Sequence, residues 1–215
     1  MKQTQPFALN AGMSGMSDLH LDWCGYKAAK FAVMNWHYSE TMPSGKLIKI
    51  GVWENNAFIG CVIYSRGGAP NIAEPYGMDQ TEVCELTRVA LDDHNAPVTQ
   101  ILSISRKLLT SKCPNLRLVV SYADPEQEHV GTIYQADNWY YQRQLDGRDY
   151  IKLNGEVYHP RSLNAKYGTS SIPKLKAKFG DDNVERVPVK GKHKYLYPLD
   201  ESIVPKIKDM AKPYP

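Results

Sequence analysis

The segment Leu116–Ala123, reading LRLVVSYA, constrains the fold of this 215-residue chain more than any other. It is almost continuously apolar and is closed by Asp124-Pro125. So short a run offers no polar face to water, so it reads as a strand covered on both sides. Such a strand demands a sheet with packed layers on each face.

Neighbouring segments supply those layers. From Trp23 to Ser39, apolar residues Tyr26, Ala29, Ala32, Val33 and Trp36 recur at three- and four-residue spacing, which predicts a helix ended by Pro43-Ser44-Gly45. Strands are expected at Lys46–Glu54 and Phe58–Tyr64, turning at Asn55-Asn56. In Glu82–Leu91, simple alternation puts Glu85, Thr87 and Val89 on one face and Leu86, Arg88 and Ala90 on the other, so that Glu85 and Arg88 cannot share a site. Asn95 and Pro97 mark a helix start, with Val98, Ile101, Leu102, Leu108 and Leu109 as its buried stripe up to Ser111. Gly131–Tyr141 reads as a short aromatic helix, Tyr150–Leu153 and Glu156–His159 as a hairpin around Asn154-Gly155, and Lys194–Leu199 as a last strand. The order predicts a mixed α/β sheet with one core, in a single domain over residues 1–215 with an N-terminal arm at 1–20.

The net charge of +3 joins two unlike parts: residues 1–150 carry 13 Lys and Arg against 16 Asp and Glu, whereas residues 151–215 carry 13 against 7. A basic C-terminal part suits a polyanion, either nucleic acid or an acidic membrane surface, or it is a solvated lysine-rich face; charge alone leaves both open. No stretch approaches the roughly 18–20 consecutive apolar residues of a membrane span. The first residues, MKQTQPFALNAGMSGMSDLH, lack the apolar core of a secretory signal. Cys24, Cys61, Cys84 and Cys113 show no CxxC spacing and read as buried thiols of a cytoplasmic protein.

Several residues carry possible chemistry beside a plainer role. His37-Tyr38 at a helix end could be a general base, a hydrogen-bond donor, a metal ligand or a helix cap. Asp124 sits where open α/β sheets place ligands, or simply forms an Asp-Pro turn; Tyr122, His129 and Tyr134 are its neighbours. Arg88 on a central strand needs an anionic partner, either a core carboxylate or a substrate phosphate. Ser105 interrupts an apolar helix stripe, for close packing or to face a cofactor, with Ser103 beside it. Trp36, Trp139, Tyr140 and Tyr141 could stack on an extruded base, at about 1–3 kcal/mol per contact, or fill the core. Lys174, Lys176 and Lys178 alternate, as do Lys190, Lys192 and Lys194; in an extended chain each trio could track a phosphate backbone, with Arg161 and Lys166 adding to the same region.

The succession ELTRVALDD, a helix start, a buried strand and YQADNWYY resembles the GNAT acyltransferase fold. That resemblance implies a mostly antiparallel sheet flanked by helices, here with a basic C-terminal elaboration. It also implies two splayed strands whose gap takes the pantetheine arm of acetyl-CoA. Amides at the following helix start then meet the pyrophosphate. Asn95, Val98, Thr99, Ser103 and Ser105 would line this cofactor site, although the loop LDDHNAPVTQ has no glycine.

Five segments in order, NWHYSETMPSGK, CELTRVALDD, SYADPEQEHVGTIYQADNWYY, HPRSLNAKYGTSS and GKHKYLYPL, are similar to the Mom family of phage DNA-modification proteins. The resemblance implies an enzyme of the host bacterial cytoplasm that converts adenine in double-stranded DNA to N6-carbamoylmethyladenine and so protects phage DNA from restriction. It implies His37, Tyr38, Asp124 and Arg88 at the reacting centre. Simple transfer from acetyl-CoA would give N6-acetyladenine, so a glycine-derived donor or a bound iron enters as an alternative. Two further readings are a GNAT N-acetyltransferase acting on a small amine or protein, and a DNA-binding protein without catalysis. No membrane partner is expected, and the oligomeric state is left open, a dimer included.

Overall fold

The computed structural model describes residues 18–67 and 71–215. Among the described residues, ten strands and six α-helices follow in chain order: β1 (Leu19–Trp23), α1 (Tyr26–Trp36), β2 (Leu47–Glu54), β3 (Ala57–Ser65), β4 (Val83–Leu91), α2 (Val98–Lys112), β5 (Leu118–Ala123), α3 (Thr132–Ala136), β6 (Tyr140–Gln144), β7 (Arg148–Leu153), β8 (Glu156–Tyr158), α4 (Pro160–Tyr167), α5 (Ile172–Phe179), β9 (Val184–Val189), β10 (His193–Pro198) and α6 (Val204–Asp209). The fold is α/β, with a large seven-stranded sheet in the order β1-β2-β3-β4-β5-β10-β6 and a second, three-stranded sheet in the order β8-β7-β9. All neighbours in the large sheet are antiparallel except β4 and β5.

The apolar run lies where its composition requires. Leu118, Val119 and Val120 are fully buried, with Val119 in the core under α2 and Leu118 and Val120 in the core on the opposite face under α6. Helix α1 covers β3 and β4 through Ala29, Ala32 and Val33. The small sheet has its own core, in which Ile151, Leu153 and Val184 meet Leu163 of α4 and Leu175 of α5. Strand β10 leaves that region and returns to the large sheet between β5 and β6.

Four expectations are corrected. Leu19–Trp23 is an edge strand paired with β2, not part of an arm or a helix start, because Leu21 alternates inward while His20 and Asp22 face water; residues 1–17 of the expected arm lie outside the described residues. Helix α1 stops at Trp36, and His37 is extended at φ −128° and ψ 129°. The expected helix Gly131–Tyr141 is helical only over Thr132–Ala136, because Asn138 turns left-handed at φ 59° and releases Tyr140 into β6. The basic stretch is not one exposed, extended track: Lys174, Lys176 and Lys178 ride on α5, and Lys194, though in a strand, is buried within β10. Helical spacing therefore puts Lys174 and Lys178 on one side and Lys176 on another.

One irregularity in β4 determines the site. The β3–β4 register shifts between Ile63 opposite Arg88 and Tyr64 opposite Leu86, leaving Thr87 as a bulged residue whose hydroxyl donates to the Ile63 carbonyl at 3.0 Å. A bulge reverses the facing of every later side chain. Cys84 and Leu86 before it point to the α2 side, and so do Val89 and Leu91 after it, while Ala90 joins the α1 side. Glu85 and Arg88 consequently share a face and line one cavity, contrary to simple alternation.

Candidate active site

The parallel strands β4 and β5 pair only from Val83–Leu86 to Leu118–Ser121 and then part. The gap is a cavity of ≈ 440 Å³. Thr87, Arg88 and Val89 form one wall, Tyr122 and Ala123 the other, the loop and helix from Glu128 to Tyr134 a third, and Trp36-His37-Tyr38 closes the α1 side. Sequence order does not announce this meeting: His37, Arg88 and Tyr122 converge because α1 packs on β4 and the bulge turns Arg88 outward from the α2 face.

His37 is held firmly. The Ser39 amide donates to its Nδ1 at 3.1 Å, and the Ser39 hydroxyl lies 2.9 Å from the same atom. A backbone N–H can only donate, so Nδ1 is unprotonated and the ring proton of the neutral imidazole sits on Nε2. Burial, then the charges of Arg88, His129 and Lys192, push its pKa down to about 4. The ring stacks on Tyr38 at 4.4 Å, and Tyr38, half-exposed, meets the edge of His129 at 5.3 Å.

Arg88 reaches the Thr41 carbonyl through Nε and Nη2 at 3.3 and 3.1 Å, and the Thr87 carbonyl through Nη1 at 2.7 Å. Burial lowers its pKa, opposed by Tyr38 and Glu85. Backbone carbonyls orient the guanidinium, and the Glu85 carboxylate, the kind of anionic partner expected for it, acts on its charge from the same cavity. Burial likewise raises Tyr122 to about 12, with Glu85 adding to it, so its phenol stays protonated.

Asp124 is placed differently from the expectation. It does not line this cavity. One carboxylate oxygen accepts from the Glu126 amide at 3.1 Å and caps the turn Pro125–Gln127, and the other pairs with Lys192 at 2.9 Å. Among the aromatic candidates only Trp36 faces the cavity. Trp139 is wholly buried, donating to Asp137 at 2.7 Å and packed on Tyr134 and Tyr197, so it cannot stack on a base. Tyr140 packs against the core beside α6, and the Tyr141 hydroxyl lies 3.2 Å from His193 Nδ1. Lys166 contacts the Tyr158 and Tyr167 rings, remote from His37 in the small sheet's helices.

The Mom protein family matches residues 18–215 of this chain. The chain belongs to the Mom family. A relative within reach by sequence is the protein named "Methylcarbamoylase mom" of Escherichia phage Mu, 25% identical over 188 residues that cover 85% of this chain and 76% of that protein. Among solved structures, a probable acetyltransferase (GNAT family) from Chromobacterium violaceum superposes with a TM-score of 0.46 at 9% identity, over 92% of this chain and 96% of that one. Spermidine N-acetyltransferase from Vibrio cholerae in complex with CoA and spermine gives 0.44 at 11%, over 84% and 95%.

The cofactors that the resemblance implies fit the residues of this Mom-family chain poorly. The loop entering α2 does not suit a pyrophosphate: the amides of Asn95 and Ala96 already donate to the Glu54 carboxylate at 2.9 and 2.7 Å, and the Asn95 side-chain amide adds a third bond at 3.3 Å. Glu54 is buried at 5% exposure and occupies the Asn95 and Ala96 amides, so a carboxylate stands immediately before the start of α2. Val98 and Thr99 remain at the helix start beside it, and Ser103 is partly buried on the next turn. Ser105 is wholly buried, donating to the Leu102 carbonyl and lying 2.7 Å from the Tyr64 hydroxyl; it serves packing and faces no cofactor. Iron is not matched by the donor set either. His37 Nδ1 is engaged by an N–H donor, Asp124 is turned to Lys192, and among the described residues no three His, Cys, Asp or Glu side chains come together as metal ligands.

Proposed function

We propose that this chain modifies adenine in DNA, joining a carbamoylmethyl group to N6, in the cytoplasm of a phage-infected bacterium. The observation that carries the reading is the family match over residues 18–215, which spans every wall of the β4–β5 cleft. The protein of phage Mu bears the name methylcarbamoylase, and the aromatic side chains Trp36, Tyr38, Tyr122 and Tyr134 along the cleft support a base as its ligand. Trp36 and Tyr38 offer ring faces to an extruded adenine, where a stacking contact contributes about 1–3 kcal/mol.

In this reading, His37 is a hydrogen-bond donor. Its Nε2 proton is directed to an acceptor on the bound substrate, and its depressed pKa keeps it neutral at physiological pH, as suits a group that polarises an oxygen or ring nitrogen. N6 attacks the CH2 carbon of an activated donor, the leaving group departs with the bonding pair, and N6 gives up one proton. Glu128 and His129 at the cavity wall are the side chains available to take that proton. Arg88 supplies fixed positive charge against the departing group. A glycine-derived donor matches the CH2–carboxamide product better than a thioester acyl group does. Asp124 acts at one remove, by setting Lys192.

Mass spectrometry of nucleosides from DNA co-expressed with the chain tests this. The expected result is a deoxyadenosine shifted by the mass of a carbamoylmethyl group. Unmodified DNA together with turnover of acetyl-CoA on an amine would overturn it in favour of an N-acetyltransferase.

A further inference from the structure

The cleft has a second lobe. From the shared wall of Tyr38, Thr87, Arg88 and Tyr122, a further cavity of ≈ 290 Å³ runs between the large sheet and the small one. Beyond that wall it is lined by Arg148 of β7, Arg161 of α4 and the segment Lys190–Lys192. With Arg88 this brings five cations to one cavity, against two carboxylates, Glu85 and Asp146. Lys192 is held by Asp124, but among the described residues neither Arg148 nor Arg161 makes an ion pair. Their backbones are fixed: Arg148 by pairing of β7 with β9, and Arg161 by its amide, which donates to His159 Nδ1 at 3.0 Å.

Bringing more cations than carboxylates together raises the energy of the folded chain, and the cost is recovered when an anion enters. Guanidinium forks suit phosphate oxygens, whose geometry they match with two parallel bonds. In the loop entering α2, by contrast, a carboxylate of the chain itself, Glu54, already takes the Asn95 and Ala96 amides. The two lobes share Tyr38 and Arg88, so one molecule can place a phosphate in the second lobe and its reacting part beside His37.

We infer that the second lobe is a phosphate subsite, with Arg148 and Arg161 as its binding residues, holding a phosphate carried by one of the two reactants in the first lobe. This rests on the reading of the first lobe as the adenine-modifying centre. The phosphate has two sources, the phosphodiester beside the target nucleoside or a phosphate of the donor, and the experiment separates them.

The full chain and its Arg148→Gln and Arg161→Gln variants are compared for binding of an adenine-containing duplex at several salt concentrations, and for protection by sodium pyrophosphate in a thermal melt without DNA. Both arginines are exposed, so folding is checked by the melt itself. Weaker duplex binding, with a log–log salt slope smaller by about 0.9 for each phosphate no longer neutralised, assigns the lobe to the phosphodiester. Unchanged duplex binding without pyrophosphate protection assigns it to the donor. Wild-type behaviour of both variants in both assays overturns the subsite. Loss of either kind of binding in the variants of a chain that leaves adenine unmodified keeps the subsite and sinks the adenine reading; unchanged binding beside intact modification sinks the subsite alone.

Discussion

Strand β4 leads to two places suited to an anion, and they are finished in opposite ways. At its C-terminal end the loop into α2 presents backbone amides, and the chain's own Glu54 takes two of them. Midway along, the bulge at Thr87 turns Arg88 into a cleft that the C-terminal segment surrounds with further cations. At one end a carboxylate of the chain itself occupies backbone amides, and at the other the subsite proposed above leaves arginine side chains open to an anion. The difference lies in single residues: one buried carboxylate, Glu54, engages the loop amides, and one bulged residue, Thr87, turns the Arg88 side chain into the cleft.

The comparison is broken most decisively at the cleft. His37→Ala is expected to lower adenine modification by at least about 100-fold, in line with loss of a positioned proton donor, while duplex affinity stays as in the wild type. Nucleoside mass spectrometry reads the first and fluorescence anisotropy the second. Substantial modification by the variant would remove His37 from the chemistry. At the other end, Glu54→Ala leaves the Asn95 and Ala96 amides without their carboxylate and is expected to cost about 1–3 kcal/mol in chemical denaturation. The same variant sharpens the comparison: pyrophosphate should shift the Asn95 and Ala96 amide resonances in Glu54→Ala and leave them in place in the wild type. A shift in the wild type would mean that the loop binds phosphate despite Glu54.

Much of this arrangement was legible in the residues and some was not. The both-sides burial of β5 follows from LRLVVSYA, and the β2–β3 hairpin from Asn55-Asn56, both of which adopt positive φ, at 52° and 63°. The Thr87 bulge was hidden, because alternation along β4 looks regular until its partner strand fixes the register. That single slip misplaced Glu85 relative to Arg88. Asp124 was found as a residue but not as a role, since its partner Lys192 lies far along the chain and meets it only through the β5–β10 pairing. Ser39 was missed although it stands two residues after His37; a hydroxyl residue there is a local signal for an imidazole acceptor. Trp139 and Ser105 were ambiguous by nature, and burial resolved both. The lysine trio of α5 misled because strict alternation suggests a strand, whereas Pro173 near the helix start and the apolar contacts of Leu175 favour a helix.

A smaller effect concerns the state of His37. Its depressed value of about 4 in the folded chain, against an ordinary 6.5, means that the unfolded chain takes up the proton first as pH falls. The stabilisation by neutral His37 is therefore complete above about 6.5 and is lost as pH falls through about 4. Imidazole nitrogen shifts are expected to report a single tautomer, protonated at Nε2, from pH 7 down to about pH 5, values bounded by that shift. A midpoint near the ordinary value would break the contrast between the desolvated cleft and the solvated surface.

The smallest expected effect lies furthest from the cleft, on α5. Lys174 and Lys178 stand one turn apart on this helix, whereas Lys176 lies within 3.9 Å of Asp181 and Lys178 also rests near the Tyr167 and Phe179 rings. An exposed pair at such a distance contributes little, so all three remain available to a polyanion, but only two share a side. Reversing Lys174 and Lys178 together should flatten the salt slope of duplex binding by no more than about 1.8, the equivalent of two phosphate contacts. Reversing Lys176 alone should change it by less than one. Modification at saturating DNA should be unaffected by either, because these side chains belong to the small sheet's outer layer and not to the cleft walls. A loss of modification larger than the loss of binding would show that α5 reaches the reacting base, and it would move the boundary between grip and chemistry onto the small sheet.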